Sequence, residues 1–378
     1  MFFISITTNA QVNTVKSKIE EDKISFFDDV KANFSYSFGQ TSNVAKLSKD
    51  EAGAYNLIKP TLSLEGSSSD SFSYNMDFGA ELKKYTEQAA EALGNESSID
   101  ARVSSIWFLN DSWELGGDVG AYRVKNKLPV QLSSTETTSQ DQEYFEPDAR
   151  LYLSWIGENL TVEGGASASY RDYKTTLIDR GNVFYNDYEQ YGVDVKVGRE
   201  FDEQFSLYTK AVINRRQYKE RPADFTDGAP SLVASPLPQL EEVSSEISIV
   251  AEYKLGKVKL TTTPSIKLSD DKVFGARDSE TIKIQQKFSI PITAKVVWAP
   301  SFIFSNEKFS QFRSDPENLP STSPLREDSE TKIASSLSYT FKKDIVGNID
   351  YGFTNKKSNY AGSSYEEQTI AAGIAISM

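Results

Sequence analysis

The chain contains no cysteine and no histidine. Without cysteine it can hold neither a disulfide framework nor a thiolate metal site. Without histidine, the usual catalytic triads and the commonest zinc ligands are missing too. A carboxylate-only active site of the glycosidase kind needs a matched acid pair, and no pair stands out. No enzyme and no cofactor are therefore expected. Long apolar runs are also absent, 25% of residues are charged, and the mean hydropathy is -0.46. These features exclude a helical membrane protein, but not one that crosses with strands of about 9–11 alternately apolar residues. Positive charge is in deficit, 41 Lys and Arg against 54 Asp and Glu. Nucleic acid, which calls for a basic face, is thereby excluded as a partner. No linker divides the 378 residues, and no fixed-period repeat points to a propeller.

What the chain does have is alternation. Tyr191, Val193, Val195 and Val197 alternate with Gly192, Asp194, Lys196 and Gly198. After a polar turn at Asp202 and Glu203, Phe205, Leu207, Thr209, Ala211 and Ile213 continue the pattern. Successive strand residues face opposite sides, so this reads as a hairpin with one apolar and one polar face. The same signature recurs from about residue 30 to the end, clearest at Phe72, Tyr74, Met76, Phe78, Ala80 and Leu82.

The count is sixteen strands, with fourteen or eighteen as alternatives. Odd-numbered connections are long and polar (40–54, 85–97, 125–142, 175–186, 219–241, 268–280, 311–328, 357–365), and even-numbered ones mostly short. The hairpin turn near Ala294 and Lys295 lacks the usual Gly, Asn or Asp. A sandwich has no reason to keep that asymmetry eight times over, whereas a transmembrane barrel does. The fold class read here is all-β, a single closed antiparallel transmembrane barrel with short periplasmic turns and long extracellular loops. Sixteen strands enclose enough space for water, so the apolar face meets lipid and the polar face lines the lumen. Aromatics, 12% of the chain, suit interfacial girdles. The start, MFFISITTNAQ, reads as the tail of a secretory signal (1–10) before a periplasmic lead-in (11–29) and the barrel (30–378). The alternative is an ordinary N-terminal strand.

Alternation also nominates the functional side chains. Lys257, Lys259, Lys267, Lys283, Lys287 and Lys332 form a basic inner wall with few acids. Asp77, Glu81, Asp100, Glu114 and Asp118 form an acidic one beside Arg102. Opposed walls would set up a transverse field that favours polar permeants. The plainer reading, weighted slightly higher, is that these side chains pair across strands and fill the barrel. Arg171, Tyr173, Arg215, Arg216 and Tyr218 gather near the outer rim. They suit sugar acids or lipopolysaccharide phosphates. The favoured reading is structural, a tyrosine girdle with arginines snorkelling to headgroups. Acidic residues Asp141, Glu143, Glu146, Asp224, Asp227, Glu241 and Glu242 either bind divalent cations or solvate the loops.

The assembled pattern resembles bacterial outer-membrane β-barrel proteins of the porin type. The hairpin at 185–218, with SYRDYKTTLID (169–179) and RRQYKERPADFTDG (215–228), is similar to porin-like barrel families, some of whose members lie near exopolysaccharide-secretion genes. The resemblance spans roughly 30–378 in architecture. One departure is the last residue, Met378 where such barrels end in Phe or Trp. The resemblance implies the outer membrane, with its lipid and lipopolysaccharide as partners. The expected function is passive or weakly selective diffusion of small hydrophilic solutes, anionic or saccharide among the options. The alternative is a structural or envelope-assembly barrel, its lumen closed by loops, assisting exopolysaccharide export.

Overall fold

The computed structural model describes residues 27–42, 52–86, 95–131, 137–174, 177–179, 182–184, 186–222, 239–273, 277–313, 324–360 and 363–378. The signal-like segment and most of the lead-in lie outside them. Strands run β1 (Asp29–Thr41), β2 (Gly53–Ser69), β3 (Phe72–Tyr85), β4 (Glu96–Asn110), β5 (Trp113–Gln131) and β6 (Thr137–Ile156). They continue with β7 (Leu160–Tyr173), β8 (Leu177–Asp179), β9 (Asn182–Phe184), β10 (Tyr188–Glu200), β11 (Phe205–Pro222) and β12 (Gln239–Leu255). The last six are β13 (Val258–Asp271), β14 (Ser279–Pro291), β15 (Val296–Arg313), β16 (Leu325–Lys342), β17 (Ile345–Ser358) and β18 (Tyr365–Ser377).

All but β8 and β9 form one closed antiparallel barrel of sixteen strands, in which β1 pairs with β18. The sixteen-strand reading is borne out. Three boundaries differ from expectation. The Gly- and Ser-rich stretch 66–69, which its composition reads as a turn, belongs to β2, and the turn falls at Asp70 and Ser71. The stretch 125–142 is mostly ladder, because β5 and β6 stay paired out to Gln131 and Thr137. The stretch 175–186 holds the small hairpin β8–β9.

Turn chemistry explains the short connections. The Asp202 carboxylate accepts the amides of Gln204 and Phe205, both at 2.7 Å, closing the turn between β10 and β11. Gly256 adopts φ 59° between β12 and β13, a conformation that suits glycine. The 292–295 turn needs no Gly, Asn or Asp because the Thr293 hydroxyl accepts the amides of Lys295 (3.2 Å) and Val296 (3.1 Å).

Closure decides which face is which. Val193 (56% exposed), Val195 (51%) and Phe78 (42%) point away from the barrel axis, not into a dry core. All four tryptophans, Trp107, Trp113, Trp155 and Trp298, stand on this outward face close to the short turns. They are in register with one another or with apolar partners: Trp113 opposite Trp155, Trp107 opposite Phe72 and Leu115, Trp298 opposite Ile290 and Leu337. Ten residues up β6 from Trp155, on the same face, stands Phe145. At ~3.3 Å per residue and a tilt of ~40°, that is ~25 Å, the height of a lipid-facing apolar band. Leu153, Leu151 and Ala149 fill the interval. The outward face is therefore a membrane-spanning surface, with an interfacial aromatic ring at the short-turn end.

A depth-dependent cost follows. Leu151→Arg, near the middle of the band, should lower the unfolding free energy in lipid vesicles by about 2–4 kcal/mol, and Phe145→Arg, at its edge, by about 0–1 kcal/mol. Equal costs in denaturant titrations of the two variants would contradict the assigned band.

Candidate functional site

With the outward face fixed, the alternate residues line the lumen. Sixteen strands ~4.8 Å apart, tilted ~40°, give a backbone radius of roughly 16 Å, wide enough for water inside the side chains. Asp77, Glu81, Asp100, Glu114 and Asp118 each neighbour an exposed outward residue (Phe78, Leu82, Ile99, Trp113 and Val119) and so point inward. Lys259, Lys267, Lys283, Lys287 and Lys332 are inward by the same parity. Lys257 is not on the wall, because it sits in the Gly256–Lys257 turn.

The two walls are opposed. Around the ring, β4 and β14 are eight strands apart in either direction, which in sixteen is diametric. The basic wall is less free of acids than its sequence implies: Lys259 pairs with Glu252 (2.9 Å) and Lys332 with Glu330 (2.8 Å). On the acidic side Glu81 pairs with Lys59 (2.8 Å), and Asp77 accepts from Asn75 (2.7 Å) and from the Ser63 hydroxyl. Among the described residues, Lys267, Lys283 and Lys287 have no ion pair, nor do Asp100, Glu114 and Asp118. Asp77 has only neutral partners, so what remains without an ion pair is three cations of one wall facing four anions of the other.

The rim cluster is not a girdle. Consecutive strand residues cannot share a face, so Arg215 and Arg216 part company. Arg215 points outward and pairs with Glu241 at 2.9 Å. Arg171, Tyr173, Arg216 and Tyr218 point inward, where they meet Glu146 of the acidic set and three residues not singled out in the sequence, Tyr144, Tyr188 and Gln190. The Arg171 guanidinium lies over the rings of Tyr144 (4.2 Å) and Tyr188 (5.0 Å) and donates to Glu146 (2.5 Å). Arg216 lies over Tyr188 from its other neighbour (4.5 Å) and donates to Gln190 at 2.8 Å. Tyr188, Tyr218 and Leu240 are buried together, at 4%, 5% and 1% exposure. Arg171 and Arg216 do not snorkel, since rings and polar side chains hold them inside the barrel. Parity with Ile213 and Tyr170 carries this information; residue type, read alone, hides it.

The acidic residues meet cations of the chain. Glu143, Glu146, Glu241 and Glu242 face Arg123, Arg171, Arg215 and Arg216. No metal-holding cluster occurs among the described residues. Asp224, Asp227 and the Asp141 side chain lie outside them.

Between the acidic wall and the arginine–tyrosine cluster, charged planar groups lie flat on the strands. Arg102 pairs with Asp148 at 2.7 Å, and Arg150 with Glu163 (2.5 Å) and Asp194 (2.6 Å). Glycines make room for them. A Cβ on Gly120 would come 2.9 Å from Asp148 and 3.0 Å from Arg102, and one on Gly165 would come 2.9 Å from Arg150. Gly79 does the same for Asp100, 2.5 Å from such a Cβ. The wall is thin here, and a recess of about 550 Å³ opens over β4, β5, β6, β7 and β10.

No known family model matches the chain, and no curated protein matches it in sequence. Solved structures do. A loop-deletion form of OmpT, an outer membrane protein of Vibrio cholerae, superposes with a TM-score of 0.50 at 9% identity, covering 93% of this chain and 99% of that one. OmpT in its trimer form gives 0.50 at 8% identity, covering 93% and 98%. OccAB3 of Acinetobacter baumannii gives 0.49 at 8% identity, covering 93% and 100%. At these identities the OmpT likeness speaks to fold alone: the chain has the porin-like fold of an outer-membrane β-barrel.

The luminal assignment of the rim cluster is measurable. A double-mutant cycle of Arg171→Met and Glu146→Gln should give a coupling of about 0.5–3 kcal/mol in unfolding free energy. A coupling of zero would place the two side chains apart.

Proposed function

We propose that this chain is a channel of the bacterial outer membrane through which small hydrophilic solutes diffuse passively and with weak selectivity. The observation that carries the reading is the pair of opposed charge sets, without ion pairs among the described residues, on a lumen wide enough for water. Lys267, Lys283 and Lys287 stand across from Asp100, Glu114 and Asp118. A solute crossing between them feels a field perpendicular to its path. A dipolar molecule gains by aligning with it, while an apolar one only loses the water it displaces. On the outside, Arg123 and Arg215 stand above the apolar band where lipopolysaccharide headgroups would meet them.

Reconstitution into planar bilayers tests the reading: discrete conductance steps are expected. If no steps appear and liposomes fail to swell in small solutes, the channel reading falls and the envelope-assembly alternative takes its place. The charge argument has its own signature. Replacing Lys267, Lys283 and Lys287 together with Gln should raise the permeability of cations relative to anions, read as a reversal-potential shift across a salt gradient. The shift should be large near 0.1 M salt and shrink towards 1 M, as the screening length falls from about 10 to about 3 Å. An unchanged reversal potential at low salt would refute the role of this wall.

A further inference from the structure

We infer that Lys283, Gln285 and Lys287 of β14 form a subsite for a compact tetrahedral dianion of the sulfate and phosphate class. The inference rests on the channel reading for the anion's access to the lumen, and on the patch itself for the anion's chemistry. The three residues occupy successive inward positions of β14. Register sets Ser265, Thr263 and Thr261 of β13 on one side of them, and Ser305, Ile303 and Ser301 of β15 on the other. These nine positions hold two ammonium groups, one amide and five hydroxyls, and no carboxylate.

The charges bordering the patch do not cancel it. On the inward face of β12 to β16 they are Lys254, Lys259, Lys267 and Lys332 against Glu246, Glu252, Glu307, Glu330 and Asp328. Glu252 is paired with Lys259 and Glu330 with Lys332. Asp328 is held by Arg326 and Lys356 from beyond this border, and Glu307 accepts from the Ser279 hydroxyl. Glu246 stands opposite Lys267. The acidic wall lies across the lumen, farther than the screening length of about 8 Å at physiological salt. The positive charge of Lys283 and Lys287 is therefore left for a ligand.

Geometry narrows the class of anion. Lys283 and Lys287 are four residues apart, about 13 Å along the strand, and like charges so placed repel until an anion enters between them. Midway stands Gln285, whose side-chain nitrogen is buried with no hydrogen-bond partner among the described residues. A buried donor left unbonded carries a desolvation cost that a bound acceptor offsets. A monocarboxylate brings one charge to two ammonium groups. A dicarboxylate long enough to meet both lysines lays its methylenes over Gln285 and leaves that nitrogen unbonded. A compact dianion has its charge at the centre, where flexible lysine stems bring both ammonium groups from opposite sides. Its oxygens point in every direction, so the amide and the flanking hydroxyls meet acceptors as well.

The test uses the intact barrel in planar bilayers at about pH 8, where phosphate is a dianion. Sulfate, phosphate, acetate and malonate are each titrated against a chloride current. Sulfate and phosphate should reduce the current saturably, and acetate and malonate at equal ionic strength should not. Lys283→Met and Lys287→Met should each raise the half-blocking sulfate concentration about tenfold or more. Gln285→Leu keeps the charge of the wall and removes only the donor, and should raise it about threefold or more. Lys210→Met removes an inward lysine of β11 that is level with Lys283 through Ser248 and Ser265. Three strands away, about 14 Å, it should leave the half-blocking concentration within about twofold. Failure of either dianion to block saturably, equal block by acetate or malonate, no effect of Gln285→Leu, or as large an effect from Lys210→Met as from the two patch lysines would overturn the inference. Should the barrel carry no current at all, the channel reading fails separately. Calorimetry of sulfate on the folded barrel in detergent then decides: heat that is lost in Lys283→Met sustains the subsite, and no heat, or heat unchanged by the substitution, overturns it.

Discussion

Everything in this molecule depends on one pairing, that of the first barrel strand with the last. In hydrocarbon no water is available to an unpaired amide or carbonyl, so an open sheet edge is prohibitively costly and a strand-built membrane protein must close. Fourteen of the other barrel neighbours are joined by a single connection, and β7 reaches β10 past one small hairpin. The seam alone joins residues more than 300 positions apart. It is carried by register from Asn33 opposite Ser377 to Thr41 opposite Thr369. Ala32 and Met378 extend it, each donating its amide to the other's carbonyl, at 3.0 and 2.8 Å. These bonds are made by the backbone. Closure there does not depend on the side chain at Met378.

Closure turns a local pattern into a global one. An alternating strand has two faces but no inside, and only when the sheet meets itself does one face become lumen and the other lipid surface. The composition is then no paradox. A chain that is one-quarter charged can span a membrane because its charges lie inward or beyond the band, while Leu151, Val193 and Val195 take the lipid. The aromatic ring at the short-turn end follows from the same division. Each tryptophan there keeps the outward parity of its strand and stops where the hydrocarbon stops.

Strand number and most turn positions are legible because both are local. Period-two alternation fixes a strand without reference to its partner, and Asp202 or Gly256 punctuates it within two residues. The 292–295 hairpin was harder to read because its turn is closed by a threonine hydroxyl, a weaker cue than Gly or Asn. Strand ends past the apolar band were misjudged for a physical reason. In KNKLPVQ (125–131) and TTSQDQ (137–142) neither face needs to be apolar, so the ladder continues without the pattern that announces it. The inner walls were half legible. Parity gave Lys267, Lys283, Asp100 and Asp118 their direction. The neutralisation of Lys259 by Glu252, however, depends on register, which sets Lys259 opposite Lys254 and so diagonal to Glu252. The arginine–tyrosine cluster is the reverse case: residue type suggests a headgroup girdle, while parity turns Arg171, Tyr173, Arg216 and Tyr218 inward.

Register also sets how thick the wall is, and therefore where the lumen is narrow. Where the wall is thin, glycines face planar groups. Gly79 is opposite Asp100, Gly116 opposite Tyr152 and Gly198 opposite Tyr208, and a methyl group at any of the three would overlap its partner. The planar group lies down on the strand, and the lumen keeps its width. On the thick side large residues face large ones. Tyr188 stands between Arg171 and Tyr218, and Arg216 between Gln190 and Glu242. None of these can lie flat, so they stack inward on one another. A barrel of this size is too wide to be filled by single side chains, and its bore is shaped by which residues are set opposite which. The same cross-strand pairing that opens the recess beside Arg102 builds the buttress of Arg171 and Arg216 next to it. Wide and narrow parts of the passage are thus neighbouring consequences of one register, and a one-residue slip in any of these strands would exchange lumen for lipid surface along its whole length.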